Sequence, residues 1–456
     1  MSKEFNDEEL WKDPRVAEAK KLLLEAVQSH QKDFSSVRPP NPALKESYEK
    51  LLKTFGEYRA GNLWFPYLGS GLGKGALVQL LDGSVKYDFI CGIGPHFFGH
   101  SHPEIIAASV DAAISNTVMQ GNLQQNKDSF DLSEMLIKHS KFDHCFLSSS
   151  GAMANENALK IAFQKRYPAT RILAFERCFV GRSLATSQIT DKPLYREGLP
   201  INFHVDYVPF FDHKAPEEST QRAIAVLKGH LERYPKQHAV MIFELIQGEA
   251  GFYAGTRHFF EKLMEILKEH GIMIFDDEVQ SFGRTTELFA YQYFNLDKYV
   301  DIVSIGKLSQ VCATLFTKAA APKPGLLSQT FTASTSAIRT AKRILEILTS
   351  ENYYGREGKI AALHQHFASK LEAIEKRHPD LIHGPYGVGC MIAFTPFNGE
   401  AQRTTQFAKN LFDAGVLSFT AGANPTRIRF LIPAGAVTNE DIDKAAKIIE
   451  ETLLKS

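Results

Sequence analysis

Between about residues 140 and 320 short apolar runs alternate with longer amphipathic stretches: Cys145-Phe146-Leu147, Arg171 to Phe175, Val240 to Phe243, Ile272 to Phe275 and Ile302 to Ile305. Apolar runs of this length are the pattern of parallel strands buried on both faces, with helices as cover. One segment between them shows how the helices are encoded. Thr256 can cap it, Phe259, Phe260, Leu263, Ile266 and Leu267 form one apolar stripe, and Gly271 can take the left-handed conformation that ends it. Upstream, Val16, Ala19, Leu22, Leu23 and Val27 predict a helix from Pro14 to about Lys32, and Arg38-Pro39-Pro40-Asn41-Pro42 follows as an extended connector. Downstream, a helix is expected over Ala337 to Leu348 and a last amphipathic one over Asn439 to Leu454. The pattern predicts an α/β protein with a mainly parallel central sheet. Its expected parts are a large domain over 81–335, a smaller α+β domain over 336–456, and a segment 1–80 packing with the smaller one.

Composition narrows the function. Lys plus Arg and Asp plus Glu both number 52, so the chain has no net field to gather nucleic acid or an anionic membrane. Five cysteines, without a Cys-x-x-Cys pair, indicate neither a disulfide framework nor a zinc ribbon and suit a reducing cytosol. No stretch approaches the roughly 18 apolar residues of a membrane span, and the opening MSKEFNDEELWKD lacks a signal-like apolar run, so a cytoplasmic location is expected. His96, His100 and His102 lack partners at zinc-ligand spacing, and no metal is expected. Gly69 to Gly75 resembles a phosphate loop but lacks its spacing and the hydroxyl residue after Lys74, which points to a flexible turn.

In open α/β sheets ligands sit beyond the carboxyl ends of the strands, so polar residues that follow apolar runs are the candidates. Ile274-Phe275 leads into Asp276-Asp277-Glu278-Val279-Gln280, and Ile302 to Ile305 leads into Gly306-Lys307. A buried acid is costly without a cation or donors, so a structural Asp–Lys pair would account for either residue alone. Ser148-Ser149-Ser150-Gly151-Ala152 precedes a helix over Ala154 to Gln164, a place where free N–H groups favour an anion, although Ser150 as a simple cap would explain the serines equally well. Glu244 to Gly251 adds the carboxylates of Glu244 and Glu249 near the same edge.

A lysine at one strand end, an aspartate thirty positions before it and an anion site upstream are the parts needed to hold pyridoxal phosphate. With FDDEVQSFGRT, SIGK, ELIQGEAG, GAMANENALK and RIRFLIP, the chain from about Leu81 to Leu454 resembles the class III, fold type I aminotransferases. GKLSQVCA, SGAMANENALK, AKRILEIL and the TAG before RIRF are most similar to L-lysine 6-aminotransferases, and NENALK is shared with 4-aminobutyrate aminotransferases. The resemblance implies that Lys307 anchors the cofactor covalently and moves the substrate proton, and that Asp277 pairs with the pyridine nitrogen. Gln280 would bond the ring's phenolic oxygen, Val279 and Phe179 would cover its two faces, and Glu244 would belong to the cofactor site. Ser150, Gly151 and Ala152 would hold the phosphate, and Thr330 would reach the phosphate of a neighbouring subunit, which implies a homodimer. Arg182 would take the carboxylate of an ω-amino donor. Arg429 would be neutralised by Glu249 until a second carboxylate binds.

The implied reaction moves the terminal amine of lysine, ornithine, acetylornithine or 4-aminobutyrate to 2-oxoglutarate, giving a semialdehyde and glutamate. The same platform also serves aminomutases and racemases, an isomerase alternative. Val180 replaces a histidine frequent in the family, Ala152-Met153 replaces Thr-Glu, and Thr332-Ala333-Ser334 replaces Gly-Gly-Asn. Ile432-Pro433-Ala434-Gly435 replaces Pro-Pro-Leu, which leaves Arg427 open as the alternative carboxylate ligand to Arg429.

Overall fold

The computed structural model describes residues 9–456, so the first eight residues of the N-terminal segment lie outside the described residues. Two compact units share the chain: one comprises residues through Ile114 with Ala362–Pro385 and Ile392–Ser456, the other Ser115–Ala361 with Tyr386–Met391.

The second unit is built on seven strands: β1 (His144–Ser148), β2 (Arg171–Phe175), β3 (Val205–Val208), β4 (His238–Phe243), β5 (Met273–Glu278), β6 (Ile302–Ile305) and β7 (Cys312–Phe316). They lie in the order β1-β7-β6-β5-β4-β2-β3. The ladders from β6 through β3 are parallel, and β7 alone runs antiparallel, between β6 and β1. The α/β architecture with a mainly parallel central sheet is thus observed. One face packs Ile172, Ala174, Val240, Ile242 and Ile302 against Ala158, Leu159, Ile161 and Ala162 of the helix Gly151–Arg166. On the helix Arg257–Glu269, Phe259 and Phe260 meet Phe175, and Phe260 also meets Phe243. That helix begins as its sequence predicts, with Thr256 Oγ1 accepting the N–H of Phe259 at 3.2 Å, and Gly271 follows it at φ +66°.

Two boundaries differ from expectation for physical reasons. The helix expected from Ala154 starts at Gly151, because Ser150 caps it by accepting the N–H of Met153. β5 does not stop at Phe275: Asp276, Asp277 and Glu278 stay in register with Val303, Ser304 and Ile305 of β6, so the three acids are the end of the strand itself.

The first unit carries two four-stranded sheets. One orders Gly69–Lys74, Leu77–Leu80, Val85–Asp88 and Val416–Leu417; the other orders Ile382–Val388, Met391–Pro396, Arg427–Leu431 and Phe419–Ala421. The glycine-rich stretch expected as a flexible turn is the edge strand of the first sheet, irregular in register between Gly69 and Gly73. A Cβ at Gly73 would lie 2.4 Å from the Cβ of His100, so the strand accepts no side chain there. His100 is itself bonded through Nε2 to the buried Asp88 at 2.9 Å. Among the described residues no helix is long and apolar enough to cross a membrane.

Candidate active site

The carboxyl ends of β4, β5 and β6, the N-terminus of the helix Gly151–Arg166 and the loop after β2 supply the candidate residues other than Thr330, Arg429 and Arg427, and all but the two arginines lie in the second unit. Asp277 is buried at the end of β5. Its Oδ1 accepts the N–H of Val279 at 3.0 Å, its Oδ2 accepts from Nδ2 of Asn155 at 2.7 Å, and Ser304 Oγ lies 3.5 Å from Oδ1. Burial pushes its carboxyl up to about 6, while these donors and the nearby Lys307 favour the charged form. Lys307 follows β6 and Gly306, starts a single 3-10 turn, and holds φ at +55°, a conformation a non-glycine residue adopts only at some cost.

Close backbone approach builds the floor. A Cβ on Gly151 would fall 2.6 Å from Cγ1 of Val279, and one on Gly248 would fall 2.4 Å from Oε1 of Gln280. Glycine at both places therefore lets the helix N-terminus and the loop after β4 close on the Val279-Gln280 turn. Gln280, Asp277 and Glu244 are buried, whereas Val279, Phe179, Lys307, Gly151 and Ala152 are half-buried and Ser150 is exposed.

The loop carrying Phe179 and Arg182 is held from three sides. Asn155 Nδ2 donates to the carbonyl of Val180 at 2.7 Å as well as to Asp277. Glu244 accepts the N–H of Phe179 at 3.2 Å and that of Gly248 at 2.7 Å. Thr190 Oγ1 accepts the N–H groups of Val180 and Gly181 and donates to the carbonyl of Gly181. Burial and the neighbouring Asp277 push Glu244 up to about 8, so at neutral pH it is largely protonated while bridging two loops. Beside this site, Asp276 is pushed far above the usual carboxyl range by burial and by Glu278. Glu278 accepts the N–H groups of Ala290 and Tyr291 and pins the segment behind β5.

Glu249 lies in the short turn Gly248–Gly251, half-buried. Thr330 is exposed, and its carbonyl would meet a Cβ on Gly121 at 1.7 Å, which requires glycine in the facing loop. In the first unit, Arg429 and Arg427 are both buried on the strand Arg427–Leu431, and at alternate positions they share one face of it. Arg429 pairs in register with Phe419 and lies 5.7 Å from that ring's centroid.

Sequence reasoning missed Asn155, Thr190 and Ser304. Asn155 had a visible signal: an amide one turn into a helix whose neighbours Ala154, Ala158 and Ala162 are buried must itself be buried and must find partners. Thr190 and Ser304 carried none, because their partners are distant backbone or lie on another strand.

The arrangement offers an amine, a buried carboxylate with directed donors, two apolar walls and the start of a sixteen-residue helix. The aminotransferase class-III family model matches residues 69–453. Acetylornithine aminotransferase 1 of Bradyrhizobium diazoefficiens is 30% identical over 400 residues, covering 84% of this chain and 91% of that protein. Among solved structures, lysine aminotransferase from M. tuberculosis superposes with a TM-score of 0.78 at 23% identity, covering 89% of this chain and 99% of the other. Acetylornithine aminotransferase from Elizabethkingia anophelis gives a TM-score of 0.73 at 26% identity, covering 90% and 99%.

Proposed function

The chain belongs to the class III aminotransferases, a pyridoxal-phosphate-dependent family, and from that premise we propose that it transfers the terminal amine of an amino acid of the lysine, ornithine, acetylornithine or 4-aminobutyrate type to 2-oxoglutarate. The carrying observation is Asp277: a buried carboxylate fixed by Val279 and Asn155, next to Lys307, is suited to an aromatic nitrogen cation. The donor set fits the cofactor, with an amine, an acid, the apolar pair Phe179 and Val279, Gln280, and the capped N-terminus at Ser150, Gly151 and Ala152 for a phosphate. When bound, pyridoxal phosphate supplies an aldehyde that condenses with amines and a ring that takes up the electrons left when a C–H bond breaks.

The residues divide the remaining work. Asp277 would keep a proton on the ring nitrogen, and Gln280 would donate to the phenolic oxygen. Glu244 fixes the Phe179 wall by its two backbone bonds. The Lys307 amine would hold the cofactor and, when free, would be the base that takes the proton from the amine-bearing carbon and returns it. Arg182 forks onto the carboxylate far from the reacting amine. On the family resemblance, Arg429, or Arg427 on the same face of its strand, is the group assigned to the second carboxylate of the acceptor. The relatives named for acetylornithine and lysine support an ω-amino donor and leave its length open, since one methylene is worth only about 1–3 kcal/mol.

The exposed apolar residues Val118, Met119, Leu123 and Phe331 support a homodimer in which Thr330 reaches the neighbouring subunit's phosphate. The two segments that carry them are adjacent, because Met119 and Gln120 pair with Ser334 and Ala333.

Donors labelled with heavy nitrogen at the terminal amine, supplied one at a time with 2-oxoglutarate, test the assignment. Labelled glutamate is the expected product. Label retained in a rearranged or racemised donor, without any oxo acid consumed, would make the protein an isomerase instead.

A further inference from the structure

The guanidinium of Arg182 lies 3.6 Å from the centroid of the Tyr195 ring. The ammonium of Lys192 lies 4.6 Å from the same centroid and donates to the Tyr195 hydroxyl at 3.1 Å. The ring also meets Phe179 edge to face, with centroids 6.4 Å apart and planes at 87°. Tyr195 therefore touches both the stacking wall and the arginine of the proposed site.

Arg182 is exposed, and a free arginine side chain in water spreads over many rotamers. Tyr195, by contrast, is held. It closes the 3-10 turn Pro193–Tyr195, and the next residue, Arg196, donates from one guanidinium nitrogen to the carbonyls of Gln188 and Thr190 and to the Tyr207 hydroxyl at 3.1–3.3 Å. Thr190 is the residue that also fixes Val180 and Gly181, so ring and arginine hang from one braced segment. A ring over the guanidinium face leaves its N–H edge free to fork onto a carboxylate, and the ring's negative face offsets the repulsion between Arg182 and Lys192.

We propose that Tyr195 is a positioning residue for Arg182 and thereby sets the preference for substrates carrying a carboxylate at the end remote from the reacting amine. The proposal rests on the reading of Arg182 given above. Two probes isolate it: 6-aminohexanoate, and hexylamine, which has a methyl group in place of the carboxylate. Their binding to the holoenzyme is followed by the absorbance of the bound cofactor, whose band also shows that each variant is folded and loaded. The wild type binds the acid more tightly. Tyr195→Leu weakens the acid about two- to fivefold and leaves the amine unchanged, the size expected for loss of a cation–π contact at an exposed arginine. Tyr195→Phe, which keeps the ring, restores the preference. A Tyr195→Leu variant with the wild-type preference, alongside an Arg182→Ala variant that has lost it, overturns the role of Tyr195 and leaves that of Arg182 standing. An Arg182→Ala variant that keeps the preference overturns both.

Discussion

Asp277 is buried, and its neighbours decide whether it is charged. Its carboxyl, raised by burial to about 6, is drawn back toward the ionised form by the Val279 N–H, by Asn155 and by Lys307. If its task is to hold a proton on the ring nitrogen, activity needs the carboxylate and falls as pH drops through its titration. Removing a donor to the charged form raises the pKa further, so Asn155→Leu should move the acid limb of the kcat/KM profile to higher pH. A hydrogen bond to a charged group is worth about 1.5–3 kcal/mol, or roughly one to two pH units. An acid limb that stays in place in this variant would separate Asn155 from the chemistry and leave it only the bond to Val180. Asn155 lay inside a motif visible in the sequence, but its two partners are 25 and 122 positions away, so its work could not be read there.

At the scale of elements the apolar runs located five of the seven strands of the central sheet, because strands covered on both faces have no alternation to confuse them, whereas Val205–Val208, interrupted by Asp206, and Cys312–Phe316 escaped the reading. Their ends were less legible. The sequence Phe275-Asp276-Asp277-Glu278 reads as a strand followed by acids, yet the ladder to β6 continues through all three. A residue's polarity records its burial cost, whereas strand pairing is a backbone property that tolerates acids once they are protonated or given donors. Glu278 receives two such donors, and burial beside Glu278 pushes Asp276 toward its neutral form. At the opposite, amino end of the same strands, Arg171 of β2 forks onto Asp206 of β3 at 2.7 and 2.8 Å, and His238 of β4 bonds the same carboxylate at 2.8 Å. That cluster pins three strands in register and was invisible in the sequence, since its members lie on separate strands. The glycine-rich strand Gly69–Lys74 failed for a different reason: with glycine at every other position it has no hydrophobic pattern, and its pairing with Leu77–Leu80 comes from the hairpin.

For the whole molecule, the fold class was legible from the strand pattern and Asp277, Lys307 and Glu244 from their places at strand ends, whereas the roles of Phe179, Arg182, Thr330 and Arg429 came only from the resemblance to class III aminotransferases. The surface Val118, Met119, Leu123 and Phe331 was not legible, since it joins two loops some two hundred positions apart. On the proposed reading that surface is covered by a second copy of the chain. Leu123→Arg, at a fully exposed position, should leave folding intact, convert a dimer to a monomer in sedimentation, and lower activity with it, because Thr330 would no longer reach a partner's phosphate site. A variant that stays dimeric, or a wild type that sediments as a monomer at assay concentration, would remove the shared site.

The central claim is that Lys307 carries the cofactor and the proton. The absorbance spectrum of wild type and Lys307→Ala, each loaded with pyridoxal phosphate and then given an ω-amino donor, tests it most directly. The account predicts a wild-type band above about 400 nm that collapses with donor, and a Lys307→Ala protein that lacks this band before donor is added and has lost nearly all turnover. A Lys307→Ala protein with the wild-type band and near wild-type amine transfer would contradict it.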